Sequence, residues 1–581
     1  MNLVLVSIHI APSSRAVSLG AASLAAAVNQ ALGDKIDTHL FDCTLQQSAA
    51  VSAQAILGLC PDAVGLSMTV WNRDLALDIA RRLKTAKPHL IVFAGGPEVT
   101  ATPKQLTQLD ELDFVLTGEG ENKLAAALHH LLQEEVPTGS EQDIPPDLSD
   151  LPSPYLTGIL QPQLNGGALW ELSRGCPYRC DFCFESRGSA VVRRFPLERI
   201  RAELELFAAC EVREVFVLDP TFNYHKQTAR EMLEMMAKFG QGLHFSLEIR
   251  AELVDEELAQ LFASIDCTLQ IGLQSADTEV LRAINRDFDP EEFRDKVLLL
   301  HEAGVSYGFD LIYGLPGDNL PGFLASLDFA LSLRPNHIDI FPLAVLPGTR
   351  LAVTAAGLGL HYQQQHPYRV LSSATFGTAE MAKAARIATA CDFFYNQGRA
   401  VPWFSMILDY LELLPSEFFT SFAATMPVDL PADPVVVQRR FVGEQFQDRQ
   451  QPELAALAGD LIAYFGYVEA LYSKPSPKIA KAGSELSLNP QSCFVTFHYD
   501  PHSLEDHLAA DITDLEELAF FLERVDQEYF CCLIDESLQM YPLTQAQSDY
   551  LKSLSSSTPE PPPSPEFIEE ALAAGILLRN S

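Results

Sequence analysis

Three cysteines fall within eight residues of the chain, at Cys176, Cys180 and Cys183 in the stretch "SRGCPYRCDFC". Three thiolates from one loop can hold three corners of a four-iron, four-sulfur cluster and leave its fourth iron open to a small molecule. A structural zinc site prefers two Cys-x-x-Cys pairs, which this spacing does not provide. Two alternatives stay open: a zinc site that takes a distant fourth ligand, and three thiols that bind no metal. The spacing therefore favours a catalytic cluster.

The cysteines follow a predicted strand, and polar residues end or follow the later strands of the same series. Strands are predicted over 167–173, 214–219, 244–250, 268–275, 307–317 and 337–344, with helices between them. Six strand–helix repeats predict a partial β/α barrel, whose chemistry belongs at the carboxyl ends of the strands. The candidate ligand contacts at those ends are Asp219, Glu248, Arg250, Gln274 and Ser275. Glu248 and Arg250 could alternatively pair with each other as a structural ion pair.

Residues 1–135 show shorter apolar strands that alternate with amphipathic helices. The strands are predicted over 3–8, 38–43, 63–68, 90–96 and 114–118. This alternation is typical of a doubly wound parallel sheet, which binds ligands beyond the carboxyl ends of its strands. Loops with small residues follow these strands, and glycine there allows a close backbone approach. The candidate binding residues in these loops are Ser67, Thr69, Gly95, Gly96, Gly118, Glu119 and Gly120.

The rest of the chain is predicted to form linkers and a C-terminal extension. Residues 136–165 are rich in Pro, Asp and Ser, which is typical of a linker. The predicted domains are 1–135, 166–350, a helical extension over 351–470 and a small mixed module over 471–581. A second linker, "SKPSPKIAKAGS", opens that module; "CFVTFHYD" is predicted as a strand, and "DLEELAFFLERV" and "EFIEEALAAGIL" as helices. The predicted fold class is therefore α/β with a helical and mixed extension.

Charge and composition limit the partners and the compartment. The chain has 40 basic and 77 acidic residues, and its formal net charge of −37 would repel a nucleic acid. Its 11 scattered cysteines lack a disulfide spacing, which favours a reducing compartment. The first residues lack the basic lead of a signal peptide, and no run reaches the ~20 apolar residues of a membrane helix. We therefore expect a cytoplasmic protein without a membrane or nucleic-acid partner.

Several motifs together resemble one enzyme family. The pattern Cys176-x-x-x-Cys180-x-Phe182-Cys183 after the first barrel strand is similar to the cysteine motif of the radical S-adenosylmethionine (SAM) enzymes. The resemblance extends over roughly residues 1–350. It includes the motifs "AGGPE" (94–98), "TGEGE" (117–121), "DPTFN" (219–223), "EIR" (248–250), "IGLQS" (271–275), "DLIYGLPG" (310–317) and "LPGT" (346–349). The chain thus resembles the cobalamin-binding subclass, which includes the anaerobic Mg-protoporphyrin monomethyl ester cyclase and cobalamin-dependent radical SAM methyltransferases.

The resemblance implies cofactors, an activity and roles for particular residues. It implies a Rossmann-like cobalamin-binding domain, a radical SAM partial (β/α)6 barrel, a 4Fe-4S cluster on the three cysteines, SAM and, with it, cobalamin. Asp219, Pro220 and Thr221 would bind the methionine amino group of SAM, which would be cleaved reductively to a 5′-deoxyadenosyl radical. A reductant such as flavodoxin or ferredoxin would supply the electron, and the substrate would be a small molecule or a peptide. The implied reaction is methylation of an unactivated carbon; the alternatives are a cyclisation or rearrangement without methyl transfer, and a non-catalytic iron–sulfur or cobalamin module.

The chain departs from the classical cobalamin carriers at one motif, and this departure affects which protein ligand the cobalt is predicted to have. Their Asp-x-His-x-x-Gly fingerprint corresponds to "DTHLFD" (37–42), where Asp42 replaces the glycine. The segment alternates like a strand, so His39 is predicted to be a strand residue, and the cobalt is predicted to have no protein imidazole ligand. The loops at 9–15 and 67–73 would then flank the lower side of the cobalt or the nucleotide tail.

Overall fold

The computed structural model describes residues 1–135, 145–185, 190–427, 429–447, 449–473, 486–509, 512, 514–535, 537–554 and 560–579. Residues 136–144 of the first predicted linker, and nearly all of the second, lie outside the described residues. The chain divides into two compact units. The first contains Met1–Leu333 and Ile340–Ala384, and the second contains Arg334–Asp339 and Ala385–Ser581.

The N-terminal sheet of the first unit has five parallel strands in the order β2-β1-β3-β4-β5. These are β1 (Asn2–His9), β2 (Asp37–Thr44), β3 (Ala63–Ser67), β4 (Ile91–Gly95) and β5 (Phe114–Leu116). The helices are α1 (Leu19–Leu32), α2 (Ala49–Gly58), α3 (Arg73–Ala86), α4 (Pro97–Ala101), α5 (Pro103–Leu106) and α6 (Glu121–Leu132). All five predicted strands and the parallel arrangement are confirmed.

Helices cover both faces of this sheet, which explains its continuous apolar strands. Val4, Val6 and Ile8 of β1 pack in one core with α2 and α3. Leu3 and Leu5 pack in a second core with α1 and α6. Because neighbouring strand residues point to opposite faces, six consecutive residues of β1 are buried. The sheet is therefore doubly wound, as predicted.

The second sheet of the first unit has six strands in the order β13-β12-β11-β10-β9-β6. Its strands and two short additional strands are β6 (Gly167–Trp170), β7 (Ser173–Arg174), β8 (Arg193–Arg194), β9 (Glu214–Val217), β10 (His244–Ile249), β11 (Cys267–Gln274), β12 (Ser306–Tyr313) and β13 (His337–Pro342). The connecting helices are α7 (Leu197–Ala209), α8 (Lys226–Phe239), α9 (Glu256–Ala263), α10 (Thr278–Ala283), α11 (Pro290–Glu302) and α12 (Leu320–Ser332). The six predicted barrel strands are confirmed.

The strands of this sheet alternate in burial, unlike β1. In β11, Cys267, Leu269, Ile271 and Leu273 are buried, and the residues between them up to Gly272 are less buried. One face therefore packs on the helices, and the other face retains access to solvent. The chain then forms α13 (Arg350–Thr354) and a short hairpin of β14 (His361–Tyr362) and β15 (Val370–Ser372).

The second unit combines helices with small antiparallel sheets. Its elements, beginning with a helix that spans the unit boundary, are α14 (Thr378–Cys391), α15 (Val401–Leu411), α16 (Pro415–Thr425), α17 (Pro434–Gln447), α18 (Pro452–Ala463), β16 (Leu486–Leu488), β17 (Ser492–Tyr499), α19 (Pro501–Ala509), α20 (Leu515–Phe521), β18 (Arg524–Ile534), β19 (Ser537–Pro542), α21 (Gln545–Ser553), α22 (Pro565–Ala573) and β20 (Leu577–Arg579). The helical character of the extension is as predicted.

Two helices predicted in the C-terminal module are too long. The first ends at Phe521, and Arg524 begins β18, which pairs with β17 and β19. The second ends at Ala573, and Leu577 begins β20, which pairs with β16. The sequence analysis also missed β18 and β19. Their side chains pack across strands that lie far apart in sequence, and this packing overrides the local helical spacing.

One described helix is long and apolar enough to cross a membrane by length and composition, although Glu453, Asp460 and Glu469 interrupt its apolar sequence. It spans Pro452–Tyr472 and has 21 residues. Leu457 and Leu461 are fully buried in the second unit. The buried carboxylate of Asp460 accepts the backbone N–H groups of His498 and Tyr499 at 2.7 and 2.8 Å. A core helix passes the same test, so the helix is weak evidence for a membrane span.

Candidate active site and cofactor cavity

The three cysteines lie in the loop that follows β7, beyond the carboxyl end of β6. Gly175 turns the chain into this loop with φ 104°, a left-handed conformation that favours glycine. Cys180 is buried, and Cys176 and Cys183 are half-buried. The Cys183 backbone N–H donates to the Cys180 carbonyl at 3.1 Å, so these two cysteines share a tight turn.

Backbone contacts from distant segments hold the cysteine loop. The Asp181 N–H donates to the Ile284 carbonyl at 3.0 Å. The Asn285 side-chain amide donates to the Arg179 carbonyl at 2.7 Å. The Leu351 N–H donates to the Asp181 carbonyl at 2.9 Å. The loop is therefore fixed by the segment after α10 and by the start of α13.

The thiols share one loop without converging on one point. Among the described residues, no group of three or more His, Cys, Asp or Glu side chains could hold a single metal ion. Each thiolate of a four-iron cluster binds its own iron, so such a cluster does not need convergence. Burial raises the pKa of Cys176; the Tyr178 backbone N–H and Arg250 oppose this rise, and Cys180 adds to it. Three half-buried or buried thiols on a fixed loop, with a cation beside them, fit a cluster.

Asp219 ties the loop after β9 to the residues that precede the cysteine loop. Its carboxylate accepts the Leu172 N–H and the Ser173 N–H, each at 3.0 Å, and the Ser173 hydroxyl at 2.6 Å. Burial raises the pKa of Asp219 to about 6, although these hydrogen bonds favour the ionised form. Next to it, the Thr221 hydroxyl donates to the Pro220 carbonyl at 2.7 Å. Asp219 thus lies beside the start of the cysteine loop, and Pro220 and Thr221 follow it directly in the chain.

Glu248 and Arg250 end β10 but form no ion pair with each other among the described residues. The Arg250 guanidinium lies 3.6 Å from the ring centroid of Tyr178, which stands between the first two cysteines. Glu248 is exposed to solvent on the less buried face of β10. Burial raises its pKa to about 7, and the carboxylates of Asp310 and Glu185 contribute. The structural ion pair considered from sequence is therefore not present in the described residues.

Gln274 and Ser275 occupy different environments at the end of β11. Gln274 has φ 62° at an irregularity in the pairing of β11 with β12, and its Oε1 is buried without a hydrogen-bond partner among the described residues. Ser275 is 1% exposed; its hydroxyl lies 3.2 Å from the Ser326 hydroxyl and accepts the Asp277 N–H at 3.1 Å. Ser275 therefore holds the strand end onto α12, and Gln274 retains an unused acceptor.

Two functional candidates near the cysteine loop escaped the sequence analysis. Asn223 is 1% exposed and exchanges two hydrogen bonds with the Arg250 backbone, at 2.8 and 3.0 Å. Arg286 is 7% exposed, and its guanidinium donates a hydrogen bond to the Gly272 carbonyl oxygen. The "NR" dipeptide at 285–286 carries no periodic signal, because its contacts depend on a loop more than 100 residues earlier.

A cavity of about 300 Å³ lies at the carboxyl edge of the N-terminal sheet. Its wall includes His9 from β1, and Ser67 and Thr69 from the end of β3 and the loop after it. Leu169 and Leu218, from the ends of β6 and β9, form part of the same wall. One cavity is therefore lined from the carboxyl edges of both sheets of the first unit.

The wall of this cavity has polar and apolar groups without protein partners. Thr69 Oγ1 is buried and has no hydrogen-bond partner among the described residues. Trp71 and Leu218 are 43% and 46% exposed despite their large apolar side chains. His9 Nε2 lies 3.2 Å from the Ser18 hydroxyl and 3.4 Å from Asp42. An unused hydroxyl beside exposed apolar surface fits part of a large amphipathic ligand such as cobalamin.

The other predicted glycines build the walls without lining the cavity in the described structure. Gly96 has φ 110°, and a Cβ there would lie 2.6 Å from the Met68 carbonyl oxygen. Gly95, its neighbour in β4, pairs with Ser67 of β3. Gly118 has φ 67°, and a Cβ on Gly120 would lie 2.9 Å from the Leu24 side chain. These glycines bring the loops after β3, β4 and β5 close together.

The predicted residue Glu119 belongs to an ion network that joins the two sheets. Arg174, two residues before Cys176, contacts Glu119 at 2.8 Å, Glu121 at 2.7 Å and Glu171 at 2.9 Å. Arg193 also pairs with Glu119. Glu121, Glu171 and Arg174 line the cavity as well. The network thus connects the cavity wall to the start of the cysteine loop.

The predicted strand residue His39 lies in β2, as expected, with Nε2 at 3.3 Å from Asp37.

The "AGGPE" motif contributes a buried carboxylate that contacts two other segments of the chain. Glu98 is 4% exposed and accepts hydrogen bonds from Arg73 at 2.8 Å and from the Tyr368 hydroxyl at 2.6 Å. It anchors the N-terminal helices to the segment that follows the second sheet.

Two family models match the chain. The model of the Radical SAM superfamily matches residues 170–330, and that of the B12 binding domain matches residues 10–128. The chain thus carries a B12 binding domain and a Radical SAM domain. The first match contains the three cysteines and the strand ends from β6 to β12, and the second contains β2 to β5 and the loops that form the cavity.

Two relatives that match the chain over about half of its length are methyltransferases by name. The chain is 27% identical over 328 residues to the cobalamin-dependent radical SAM methyltransferase TokK of Streptomyces tokunonensis; this covers 50% of the chain and 48% of TokK. It is 28% identical over 338 residues to the 2-(S-pantetheinyl)-carbapenam-3-carboxylate methyltransferase of Streptantibioticus cattleyicolor, covering 52% and 50%. The aligned region spans about half the length of each relative.

The fold also matches a solved structure. The apo form of OxsB, a cobalamin-dependent S-adenosylmethionine radical enzyme, superposes with a TM-score of 0.56 at 14% identity, and the match covers 89% of this chain and 84% of OxsB. The match supports the α/β fold class.

Proposed function

We propose that this radical SAM protein is a cobalamin-dependent enzyme that methylates an unactivated carbon. The observation that carries the proposal is the cavity lined from the carboxyl edges of both sheets, with the cysteine loop starting from the same ion network. Two cofactors bound at these edges would face one space, which the transfer of a group between them requires. The methyltransferase names of the relatives support the reaction class.

Cys176, Cys180 and Cys183 would hold the 4Fe-4S cluster. Together with SAM and cobalamin, this cluster would supply the reductive cleavage of SAM to a 5′-deoxyadenosyl radical and a transferable methyl group. Hydrogen bonds from the segment after α10 and from the start of α13 fix the loop that carries the three thiols. Arg250, stacked on Tyr178, stabilises the part of the loop between the first two cysteines.

The SAM contacts would come from the strand ends around the cysteine loop. Glu248 is open to the inner face of the sheet and can accept hydrogen bonds from an ammonium group. Gln274 offers an unused carbonyl oxygen. The backbone of Pro220 and Thr221 lies beside the loop, and Asp219 and Ser275 act by holding the strand ends in place. Arg250 fixes the cysteine loop and leaves its charge beside Cys176.

Cobalamin would occupy the cavity at the N-terminal sheet edge. Thr69 offers a hydroxyl without a protein partner, Ser67 lines the same wall, and Trp71 offers apolar surface. The glycines 95, 96, 118 and 120 keep the surrounding loops close, and Glu119 orients Arg174. A small-molecule or peptide substrate and a flavodoxin- or ferredoxin-type reductant complete the proposed system.

Product analysis of the anaerobically reconstituted protein tests the proposal. We expect about four irons per chain, 5′-deoxyadenosine from SAM with a reductant, and S-adenosylhomocysteine only when cobalamin is added. A variant with Cys176, Cys180 and Cys183 changed to Ala should lose the iron and both products, whereas C60A, at an exposed site outside the loop, should keep them. A colourless wild-type protein, or products that persist in the triple variant, would contradict the proposal. 5′-Deoxyadenosine without S-adenosylhomocysteine would favour the cyclisation or rearrangement alternative.

A further inference from the structure

The guanidinium of Arg174 joins the carboxyl edges of the two parallel sheets. Its Nη1 lies 2.8 Å from Glu119 in the loop after β5, and its Nη2 lies 2.7 Å from Glu121, the first residue of α6. Its Nε and Nη2 also donate to Glu171, directly after β6, at 2.9 and 3.0 Å. One side chain thus binds two carboxylates from the N-terminal sheet edge and one from the second sheet.

The place of Arg174 in the chain passes this constraint to the cysteine loop. Arg174 ends β7, and only Gly175 separates it from Cys176. Two successive trans peptides span at most about 7.6 Å between Cα atoms, so the first cysteine cannot move far from Arg174. On the other side, the Ser173 hydroxyl donates to Asp219 at 2.6 Å. A shift of the arginine would therefore move the first of the three cysteines.

The charges around Arg174 keep the two sheet edges together only while the guanidinium is present. The Glu121 side chain is 7% exposed and that of Glu171 is 25% exposed, so solvent screens these charges weakly. Burial raises the pKa of Glu171, Arg174 opposes this rise, and Glu121 adds to it. The two carboxylates therefore repel each other, and the guanidinium that contacts both offsets that repulsion.

We propose that Arg174 is a positioning residue that sets the separation between the cluster and cobalamin. This inference rests on the proposed function. Arg174, Glu121 and Glu171 all line the cavity proposed for cobalamin, and the same arginine begins the loop that would carry the cluster. Transfer of a group between two bound cofactors depends on their separation and orientation. A charged link between the two sheet edges keeps both constant.

The magnetic coupling between the reduced cluster and the cobalt(II) form of cobalamin tests this inference, because the coupling weakens steeply as two spins move apart. R174Q, loaded with both cofactors, is expected to lose most of the faster cobalt relaxation that wild type shows. R174K should keep part of it, because lysine retains the charge but not the planar fork. The control is R201Q, which removes an exposed ion pair with Glu205 within α7 and should keep the wild-type coupling.

Two results overturn the inference alone: wild-type coupling in R174Q, or an equal loss of coupling in R201Q. A fully loaded wild-type protein without any coupling overturns the proposed function and this inference with it.

A second measurement needs no cofactor and remains informative if R174Q does not load both of them. Hydrogen exchange of the cofactor-free R174Q protein should be faster than in wild type at both ends of the link, in residues 118–121 and 172–176. E119A, which breaks the link from the N-terminal side, should also speed exchange in residues 172–176, and it serves if R174Q fails to fold. R201Q should exchange like wild type in both segments. Faster exchange confined to the segment that carries the substitution overturns the inference.

Discussion

At the scale of single residues, the two strand-end carboxylates of the second sheet differ in what surrounds them. Asp219 is 7% exposed and accepts three hydrogen bonds from Leu172 and Ser173. No hydrogen bond from a described residue reaches the Glu248 carboxylate, which keeps access to solvent. The sequence could place both at strand ends from the strand–helix alternation. The sequence could not show that Asp219 anchors a strand end whereas Glu248 stays open, because this difference depends on contacts between strands that lie 46 residues apart in the chain.

The raised pKa of Glu248 predicts a pH-dependent affinity for SAM. The folded chain holds the proton of the Glu248 carboxyl more tightly than the unfolded chain does. Ionisation of Glu248 therefore destabilises the fold as the pH rises from 4.5 towards about 7. A bound ammonium group relieves that cost, so the affinity should rise with pH up to about 7, by at most about tenfold per unit. Equilibrium binding of SAM to the unreduced, reconstituted protein between about pH 6 and pH 8 measures this.

Substitution separates the titration of Glu248 from that of SAM itself. E248Q is expected to bind SAM more weakly than wild type. It is also expected to lose the part of the pH dependence of SAM affinity that comes from the titration of Glu248. E234Q, on the exposed face of α8, should keep the wild-type profile. A slope that E248Q retains in full would contradict the assignment.

At the scale of elements, the loops after β3 and β4 form one support for the cavity. The Met68 N–H donates to the Gly95 carbonyl at 2.8 Å, and the Glu98 N–H donates to the Met68 carbonyl at 3.2 Å. Gly96 makes this contact possible, since a Cβ there would lie 2.6 Å from the Met68 carbonyl oxygen. Thr69 of the cavity wall follows Met68 directly. The position of the wall therefore depends on a glycine in a neighbouring loop.

The substitution Gly96→Ala is expected to disturb both the sheet edge and the cavity. The backbone at φ 110° and the close contact should cost about 1–3 kcal/mol. Hydrogen exchange of the β3 and β4 amides should become faster, and the affinity for cobalamin should fall. G58A at the end of α2, where no atom lies within 4 Å of the new Cβ, should change neither. Exchange and affinity equal to those of G58A would refute this account of the loop.

The elements also show where sequence reasoning succeeds and where it fails. The eleven strands of the two parallel sheets were predictable, because buried apolar runs alternate regularly with amphipathic helices. β18 was not, because Leu522 and Val525 continue the apolar spacing of α20, whereas the chain from Arg524 onwards forms a strand by pairing with β17. Arg286 and Asn223 were missed for a related reason. Their roles arise from contacts with distant loops, which no local period records.

At the scale of the whole first unit, an ion network joins the two halves of the proposed site. Arg174 begins the cysteine loop and contacts two carboxylates of the N-terminal region, Glu119 and Glu121. The same arginine lines the cavity. Burial raises the pKa of Glu171, whereas Arg174 favours its ionised form. The cysteine loop and the cavity are therefore parts of one charged, largely buried arrangement.

The central claim is that the cluster and cobalamin bind side by side in the first unit, and magnetic coupling between them tests it most directly. In protein loaded with both, the EPR signal of the cobalt(II) form of cobalamin should broaden and relax faster when the cluster is reduced. The variant with all three cysteines of the loop changed to Ala should bind cobalamin and show the unperturbed signal. An unperturbed cobalt signal in the fully loaded, reduced wild-type protein would contradict the claim.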